Sequence, residues 1–158
     1  MQSAQIHQIR EYHVKPEDGL TVTLQIMNEL EGRAITSDFF RTEVKKIFEQ
    51  FRYPKITLYE KIWEYVRTEF EYVKDRFDEE IKNPLLMFHY KAGDCDDFSL
   101  FIKSVLSVFG IRSSYILLGQ RENEFTHIAV LTNDGFILDG SNELLNWIHP
   151  KYKFKKIA

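Results

Sequence analysis

The chain has 158 residues, of which 44% are apolar and 15% aromatic, with seven glycines and four prolines. This length and composition predict one domain with a hydrophobic core and exclude disordered, collagen-like and two-domain architectures. The 21 basic and 24 acidic residues give a net charge of −3, so the molecule as a whole has no electrostatic attraction for nucleic acid or an anionic membrane.

The chain has a single cysteine, Cys95, which cannot form an internal disulfide or a multi-cysteine zinc site. No apolar run approaches the roughly 20 residues of a membrane span. The first eight residues lack the charged start and apolar stretch of a signal peptide. We therefore expect a cytoplasmic protein with no membrane partner.

Apolar residues at helical spacing characterise the first half of the chain. They predict amphipathic helices over residues 21–31 and 37–51, the second ending before Pro54. A third helix is predicted to begin at Thr57, because Thr57 and Glu60 have the spacing of a capping box. Its apolar face consists of Leu58, Ile62, Trp63, Tyr65, Val66, Phe70 and Val73.

A further helix is predicted around the cysteine. The Asn83-Pro84 step disfavours helix at the preceding residues, and we predict a loop there. Asp94 is then a good N-cap, Asp97 occupies the third helical position, and an apolar face continues to Gly110, which ends the helix. Cys95 is therefore predicted to be a first-turn residue.

The last third of the chain is rich in β-branched and aromatic residues. It predicts short strands over residues 113–119, 126–132 and 136–139, the last two joined as a hairpin by Asn133-Asp-Gly135. Helices followed by strands indicate the α+β class. The alternating basic and aromatic residues at 151–156 are more typical of a solvated edge strand than of a phosphate contact, so we expect no nucleic-acid partner.

Cys95 needs a cationic partner if it is to react. A lone cysteine is most often a small buried hydrophobe, but a helix N-terminus favours a thiolate by about 0.3 to 1 kcal/mol. Asp94, Asp96 and Asp97 oppose it, since one carboxylate about 6 Å away costs a thiolate roughly 3 kcal/mol at a protein-surface dielectric. The helix end alone cannot offset three carboxylates.

His127 is the best placed of the five histidines, since it begins an apolar strand where an unbonded imidazole would be costly. A three-residue hairpin loop with Gly135 in the left-handed conformation sets Ala129 opposite Asp139. His127 is then the diagonal neighbour of Asp139 on the same face of the sheet. The alternatives are a structural histidine and an aspartate that serves only the turn.

Together these residues supply a thiol nucleophile, an imidazole base and a carboxylate that orients the imidazole. The expected chemistry is attack of Cys95 on an amide or ester carbonyl, giving a thioester that passes to water or an amine. The acidic residues around Cys95 lack the spacing of an EF-hand. We therefore expect no cofactor and no metal.

Five segments together resemble the transglutaminase-like superfamily of the papain-like cysteine enzymes: Gly93-Asp-Cys-Asp-Asp97, Phe109-Gly-Ile-Arg112, Ile62 to Tyr72, Phe125-Thr-His-Ile-Ala129 and Ile137-Leu-Asp139. The resemblance implies that Cys95, His127 and Asp139 are a catalytic triad. It also implies a fold in which the cysteine helix packs against a small antiparallel sheet that carries the other two residues.

The resemblance covers about half of the chain. It implies a single domain over residues 1–158, with a catalytic core at 57–140 and a helical N-terminal extension at 1–55. Weaker similarity, which includes the segment from Thr21 to Leu30, extends to small stand-alone members from tailed phages and prophages. A phage virion or assembly partner, and association with the virion, are therefore alternatives to a purely cytoplasmic enzyme.

The chain departs from the superfamily in the neighbours of the proposed triad. Many members have an aromatic residue after the histidine and another before the aspartate, where this chain has Ile128 and Leu138. The superfamily suggests an upstream aromatic residue as the second oxyanion donor, for which Tyr72 is the candidate. The alternative for Tyr72 is a tyrosine at the edge of the core on the helix face. Papain-like relatives use a glutamine six residues before the cysteine, where this chain has His89.

The sequence thus predicts a cysteine-dependent acyl-transfer enzyme, either a peptidase or amidase or a transglutaminase, acting on a protein or peptide. The alternative is a structural or assembly protein that keeps the fold without turnover. The choice between water and an amine as acceptor is left open by the sequence.

Overall fold

The computed structural model describes residues 12–14, 19–74 and 79–158. The N-terminal segment in which the sequence shows no signal peptide lies outside the described residues. None of the described helices is both long and apolar enough to cross a membrane.

Helices account for most of the first part of the chain. The described residues form five α-helices: α1 (Gly19–Ile35), α2 (Asp38–Phe48), α3 (Lys55–Glu69), α4 (Pro84–Tyr90) and α5 (Cys95–Val108), with a short 3-10 helix at Glu49–Phe51. The helices predicted over 21–31 and 37–51 are confirmed. Ser37 caps α2 by accepting a hydrogen bond at 3.3 Å from the backbone N–H of Phe40.

The strands that the structure describes form three sheets. They are β1 (Tyr12–Val14), β2 (Glu71–Tyr72), β3 (Glu79–Ile81), β4 (Ala92–Gly93), β5 (Ser113–Gly119), β6 (His127–Thr132), β7 (Ile137–Leu138) and β8 (Phe154–Ile157). β1 pairs with β3, β2 pairs with β4 in parallel, and the main sheet has the order β7-β6-β5-β8 with all neighbours antiparallel. The predicted C-terminal edge strand is β8, whose residues are all exposed.

Helix α5 lies at the centre of the core. It contacts α1, α3 and α4 and also packs on β5 and β6. Phe101 of α5 joins the helices through a cluster of rings, its centroid lying between 4.9 and 6.2 Å from those of Phe40, Tyr65, Phe70 and Phe88. The predicted α+β class, with the cysteine helix packed on an antiparallel sheet, is confirmed.

Helix α3 begins two residues earlier than predicted. Pro54 is its N-cap, and the carbonyl of Pro54 accepts the backbone N–H of Thr57 at 3.0 Å. The predicted capping box at Thr57 is therefore wrong. Proline suits a helix start because its missing N–H belongs to a position that has no intrahelical acceptor.

Helix α3 also ends earlier than its apolar pattern suggests. It stops at Glu69, and Phe70 is extended, although Phe70 remains buried in the core. The next residues pair with β4 instead, since the N–H groups of Glu71 and Val73 donate to the carbonyls of Lys91 and Gly93 at 2.8 and 2.7 Å. A tertiary strand pairing therefore replaces the last predicted turn of helix.

The loop predicted before Leu85 is wrong in part, because α4 begins there. Asn83 is the N-cap, its side-chain oxygen accepting the backbone N–H of Leu85 at 3.1 Å, and Pro84 is the first helical residue. The conformational restriction before proline applies to Asn83 alone. Asn followed by Pro is thus a helix start at this point.

Candidate active site

Cys95 is the first residue of α5, as predicted. The Asp94 carboxylate accepts the backbone N–H of Asp96 at 3.2 Å, and the Asp97 carboxylate accepts that of Asp94 at 3.1 Å, which completes a capping box. Gly93 is needed here, because a Cβ at this position would lie 2.7 Å from the Asp97 side chain. The cap fixes the turn that presents the thiol.

The hairpin has the register that the sequence predicts. Val130 pairs with Leu138, and Gly135 closes the loop with a φ of +88°. Continuing this register by one residue sets Ala129 opposite Asp139 and His127 diagonal to it. The predicted three-residue loop is confirmed.

The hairpin brings an imidazole and a carboxylate into contact. Nε2 of His127 lies 2.5 Å from Oδ2 of Asp139, and the two side chains are only 11% and 4% exposed. The other carboxylate oxygen, Oδ1, accepts the Ser141 hydroxyl at 2.6 Å and the Ser141 backbone N–H at 3.0 Å. Both carboxylate oxygens thus have hydrogen-bond partners. These contacts hold the Asp139 carboxylate in one orientation and, through it, the imidazole.

Tyr152 covers the imidazole. Its ring is nearly parallel to that of His127, with centroids 5.5 Å apart and planes 9° from each other. Tyr152 comes from the segment just before β8, which pairs with β5 in the main sheet. The Tyr152 ring therefore shields one side of the imidazole from solvent.

The thiol of Cys95 lies beside the strand that carries His127. The backbone N–H of Ile128 donates a hydrogen bond to the sulfur, which lowers the thiol pKa. On the next turn of α5, the Ser99 hydroxyl donates to the carbonyl of Ile128 at 3.1 Å. Helix α5 therefore docks along this end of β6, and Cys95 is placed next to the residue that follows His127.

The remaining surroundings of Cys95 oppose its ionisation. Burial raises the pKa of the thiol well above its ordinary value, and the charges of Asp96, Asp94 and Asp139 raise it further. The Ile128 hydrogen bond offsets only part of this effect. These surroundings therefore favour the neutral thiol, and a thiolate needs an added cation, as the acidic residues in the sequence led us to expect.

Tyr72 lies at the same site, although on β2 rather than on a helix. It pairs with Gly93 of β4, and its half-exposed ring contacts Phe98 at 5.8 Å. Burial raises the pKa of the Tyr72 phenol, an ionised Cys95 would raise it further, and the negative charges of Asp94, Asp96 and Asp139 add to the effect. Tyr72 thus keeps its proton and can donate a hydrogen bond beside the thiol.

His89 occupies a different environment. It is exposed near the end of α4, where its ring contacts that of Tyr90 at 4.9 Å. The hydrogen bonds of the described residues assign it no partner in the site. Tyr72 is therefore the better placed of the two oxyanion candidates.

A cavity of about 390 Å³ opens beside the candidate triad. It is lined by Arg67, Phe70, Tyr72, Phe98, Gly140 and Ser141. Gly140 is required at this point, because a Cβ there would lie 2.4 Å from the Val66 side chain. Two of the lining residues, Gly140 and Ser141, directly follow Asp139 in the chain, so the cavity adjoins the candidate triad.

The sequence pattern did not reveal three residues of this site: Arg67, Ser141 and Tyr152. Only Ser141 had a local signal, because an aspartate accepts the N–H of the residue two positions on in many turns. Arg67 and Tyr152 reach the site through tertiary packing. Neither has a spacing that points to a role.

The comparisons with known proteins concern the fold. No protein-family model and no curated protein matches the chain in sequence. The structure is similar to the "Putative Cysteine Protease" from Cytophaga hutchinsonii, with a TM-score of 0.54 and 16% identity over 72% of this chain. It is also similar to calcium-bound LapG from Legionella pneumophila, with a TM-score of 0.56 and 18% identity over 80% of this chain.

The chain spans 40% of the length of the first of these structures and 80% of the second. The fold is that of papain-like, transglutaminase-like cysteine proteases. At such low identity the likeness extends to the fold and no further. The resemblance to phage proteins stays a prediction.

A bound metal ion requires several donor groups close together. Within residues 12–14, 19–74 and 79–158, no three His, Cys, Asp or Glu side chains are grouped to hold a metal ion. The Asp97 carboxylate is instead occupied by the Asp94 and Lys82 backbone N–H groups.

Proposed function

We propose that the protein is a cysteine-dependent acyl-transfer enzyme that acts on a protein or peptide, with Cys95, His127 and Asp139 as its catalytic residues. The observation that carries this proposal is the buried contact between His127 and Asp139. It lies beside the thiol, because Ile128, the residue after His127 on β6, hydrogen-bonds Cys95 through its backbone N–H. The cysteine-protease fold supports the proposal.

In this proposal the two nitrogens of His127 have different tasks. Nε2 faces Asp139 and carries the proton that it donates to the carboxylate. Nδ1 is then the basic nitrogen and takes the thiol proton. The resulting imidazolium supplies the cation that the acidic surroundings of Cys95 require.

The thiolate attacks the substrate carbonyl carbon, forming a carbon–sulfur bond while the carbonyl electron pair moves onto oxygen. The Cys95 backbone N–H, free at the start of α5, and the Tyr72 hydroxyl donate to this oxyanion. Collapse breaks the carbon–nitrogen bond, and His127 returns its proton to the leaving amine. Water or a second amine then attacks the thioester and loses its proton to His127, and the carbon–sulfur bond breaks, which releases the acyl product and returns its electron pair to the Cys95 thiolate.

One observation favours the alternative, a structural protein without turnover. The pKa of Cys95 is raised, chiefly by burial, as expected of an unreactive buried thiol. The two functions differ in whether a proton moves between Cys95 and His127. An experiment on the intact chain separates them.

A mixture of proteome-derived peptides, incubated with the protein and with a primary amine such as biotin-cadaverine, tests the proposal. We expect new peptide termini or amine adducts by mass spectrometry, and none with Cys95→Ser. The control Ser104→Ala changes another residue of α5, whose buried hydroxyl has no hydrogen-bond partner among the described residues, and it should retain turnover. Absence of both products with the wild type would reject the enzyme and favour the structural protein.

A further inference from the structure

Among the described residues, Arg67 is the one cation that lines the cavity beside the candidate triad. Its guanidinium is partly buried, donates one hydrogen bond to the carbonyl of Asn142 and lies over the Trp63 ring, 5.5 Å from its centroid. A guanidinium has five N–H donors, so most of them stay open after this bond.

Arg67 has no counter-ion within the described part of the chain. No carboxylate there lies within 4.0 Å of its guanidinium. Taking a cation partly out of water is costly unless an anion or several acceptors compensate. The carbonyl of Asn142 and the Trp63 ring supply part of that compensation, and the open donors are left for a ligand.

The other polar groups of the cavity fit the same ligand. The Tyr72 hydroxyl is a donor because its raised pKa keeps it protonated. The Ser141 hydroxyl already donates to Asp139. The free donors are thus a guanidinium and a phenol, and the floor consists of the Phe70 and Phe98 rings, whose centroids are 6.0 Å apart.

We propose that this cavity is the subsite for an acidic side chain, aspartate or glutamate, of the substrate. The inference rests on the proposed function, since it names the substrate class of that same site. The carboxylate accepts hydrogen bonds from Arg67, in the bidentate geometry that guanidinium offers, while its methylene groups pack on the rings. A cavity of about 390 Å³ has room for either side chain.

The carboxylates of Asp94, Asp96 and Asp139 repel an anion near Tyr72, as their effect on the Tyr72 pKa shows. The ligand carboxylate therefore lies at the Arg67 end of the cavity. Charges are screened over about 8 Å at physiological salt, so direct contact with Arg67 outweighs the more distant carboxylates.

The test uses two electrophiles that differ only in charge: the α-amides of N-iodoacetyl-glutamate and N-iodoacetyl-glutamine. The rate of Cys95 alkylation by each is measured by intact mass, and the ratio of the two rates is divided by the same ratio for glutathione. We expect the glutamate probe to be favoured about tenfold, as for a hydrogen bond to a charged group. Raising the salt should lower this ratio.

Arg67→Gln should bring the ratio to about one, and Arg67→Lys should retain part of the preference. Arg112→Gln is the matched control, because Arg112 precedes β5 at the end of the sheet remote from His127, and its ratio should equal that of the wild type. Thermal unfolding followed by circular dichroism verifies that each variant folds.

The ratio does not depend on how reactive the thiol is, so this test is separate from that of the enzyme. A wild-type ratio of about one, or a preference that survives Arg67→Gln, would overturn the acidic subsite. A glutamate preference with slow alkylation by both probes would keep the subsite while counting against the proposed catalysis.

Discussion

Nε2 of His127 lies 2.5 Å from the carboxylate of Asp139, although 12 positions separate the two residues along the chain. The register of the β6–β7 hairpin makes this contact, because the loop closed by Gly135 puts both side chains on one face. Both groups are almost fully buried, so removing either leaves its partner without compensation. The orientation of the imidazole therefore depends on one carboxylate.

Asp139→Asn should keep the fold and lower turnover by about three to four orders of magnitude. An amide that donates to Nε2 forces the proton of neutral His127 onto Nδ1, which can then no longer accept the thiol proton. The rate of cleavage in the peptide mixture measures the loss. Asp134→Asn, in the exposed loop of the same hairpin, should leave the rate within about twofold. Full activity in Asp139→Asn would remove Asp139 from the mechanism.

Alkylation of Cys95 by iodoacetamide should have a pH profile governed by His127. An ordinary thiol has a pKa of about 8.5. If the Cys95 thiol passes its proton to the imidazole, the wild type should be alkylated at pH values well below this. Without the imidazole, burial and the charges of Asp96 and Asp94 raise the thiol pKa. The thiolate fraction of His127→Ala at pH 7 should then fall below that of free cysteine.

The two profiles are compared with that of glutathione under the same conditions. Superimposable profiles for the wild type and His127→Ala would argue against a thiolate-imidazolium pair. Exposed His89 provides the control, since His89→Ala should react as the wild type does.

Replacing Tyr152 tests whether its ring supports the imidazolium. Tyr152→Leu removes the aromatic face stacked on His127, and a cation–π contact is worth about 0.5 to 2 kcal/mol. Turnover by Tyr152→Leu should therefore fall by up to about tenfold relative to the wild type. Tyr152→Phe keeps the ring and should stay within about twofold. Equal losses in both variants would instead implicate the hydroxyl.

Tyr59 anchors the hairpin loop from α3, where its hydroxyl donates to Asp134 at 3.0 Å. Tyr59→Phe should lower the free energy of unfolding at pH 7 by about 1 to 2 kcal/mol. Burial raises the pKa of Tyr59 to about 12, above the value of about 10 in the unfolded chain. The stability linked to this proton is complete below pH 10 and is lost as the pH rises towards 12.

Urea unfolding at pH 7 and pH 11 measures both effects. Between these pH values the wild type should lose roughly 1 kcal/mol more than Tyr59→Phe does, since only the wild type has this phenol to ionise. A larger alkaline loss in the variant would contradict the assignment.

Gly140→Ala should disturb the site, because its Cβ would lie 2.4 Å from the Val66 side chain. Relief of the clash moves the segment that carries Asp139 and Ser141, so turnover should fall by at least about tenfold with a stability cost of about 1 to 3 kcal/mol. Gly32→Ala is the matched control. Its Cβ would meet no atom within 4 Å, and in helix α1 it should stabilise the protein by up to about 1 kcal/mol.

The parts of the fold that the sequence predicts correctly are those that depend on residues close together in the chain. The cap of α5 depends on Asp94 and Asp97, three positions apart, and the hairpin register depends on a three-residue loop. Both were therefore predictable. They also carry Cys95, His127 and Asp139, which is why these positions could be selected before their arrangement was known.

Longer-range contacts decided the features that the sequence analysis missed. Helix α3 ends at Glu69 because the following residues pair with β4, a contact that no local pattern encodes. Arg67 and Tyr152 reach the site only after α3 and the C-terminal segment have packed. The start of α4 is different, because Asn83 followed by Pro84 is a local signal that was interpreted as a loop.

The docking of Cys95 against the Ile128 amide makes the chain's one cysteine a natural sensor of partial unfolding. Cys95 is only partly buried in the folded molecule, and detachment of strand β6 from α5 would raise its alkylation rate above that of the closed molecule. A single mass increment on intact protein would then report this added reactivity, with no engineered label and no second cysteine to confuse the readout. The rate at which β6 separates from α5 can thus be followed in the wild-type protein.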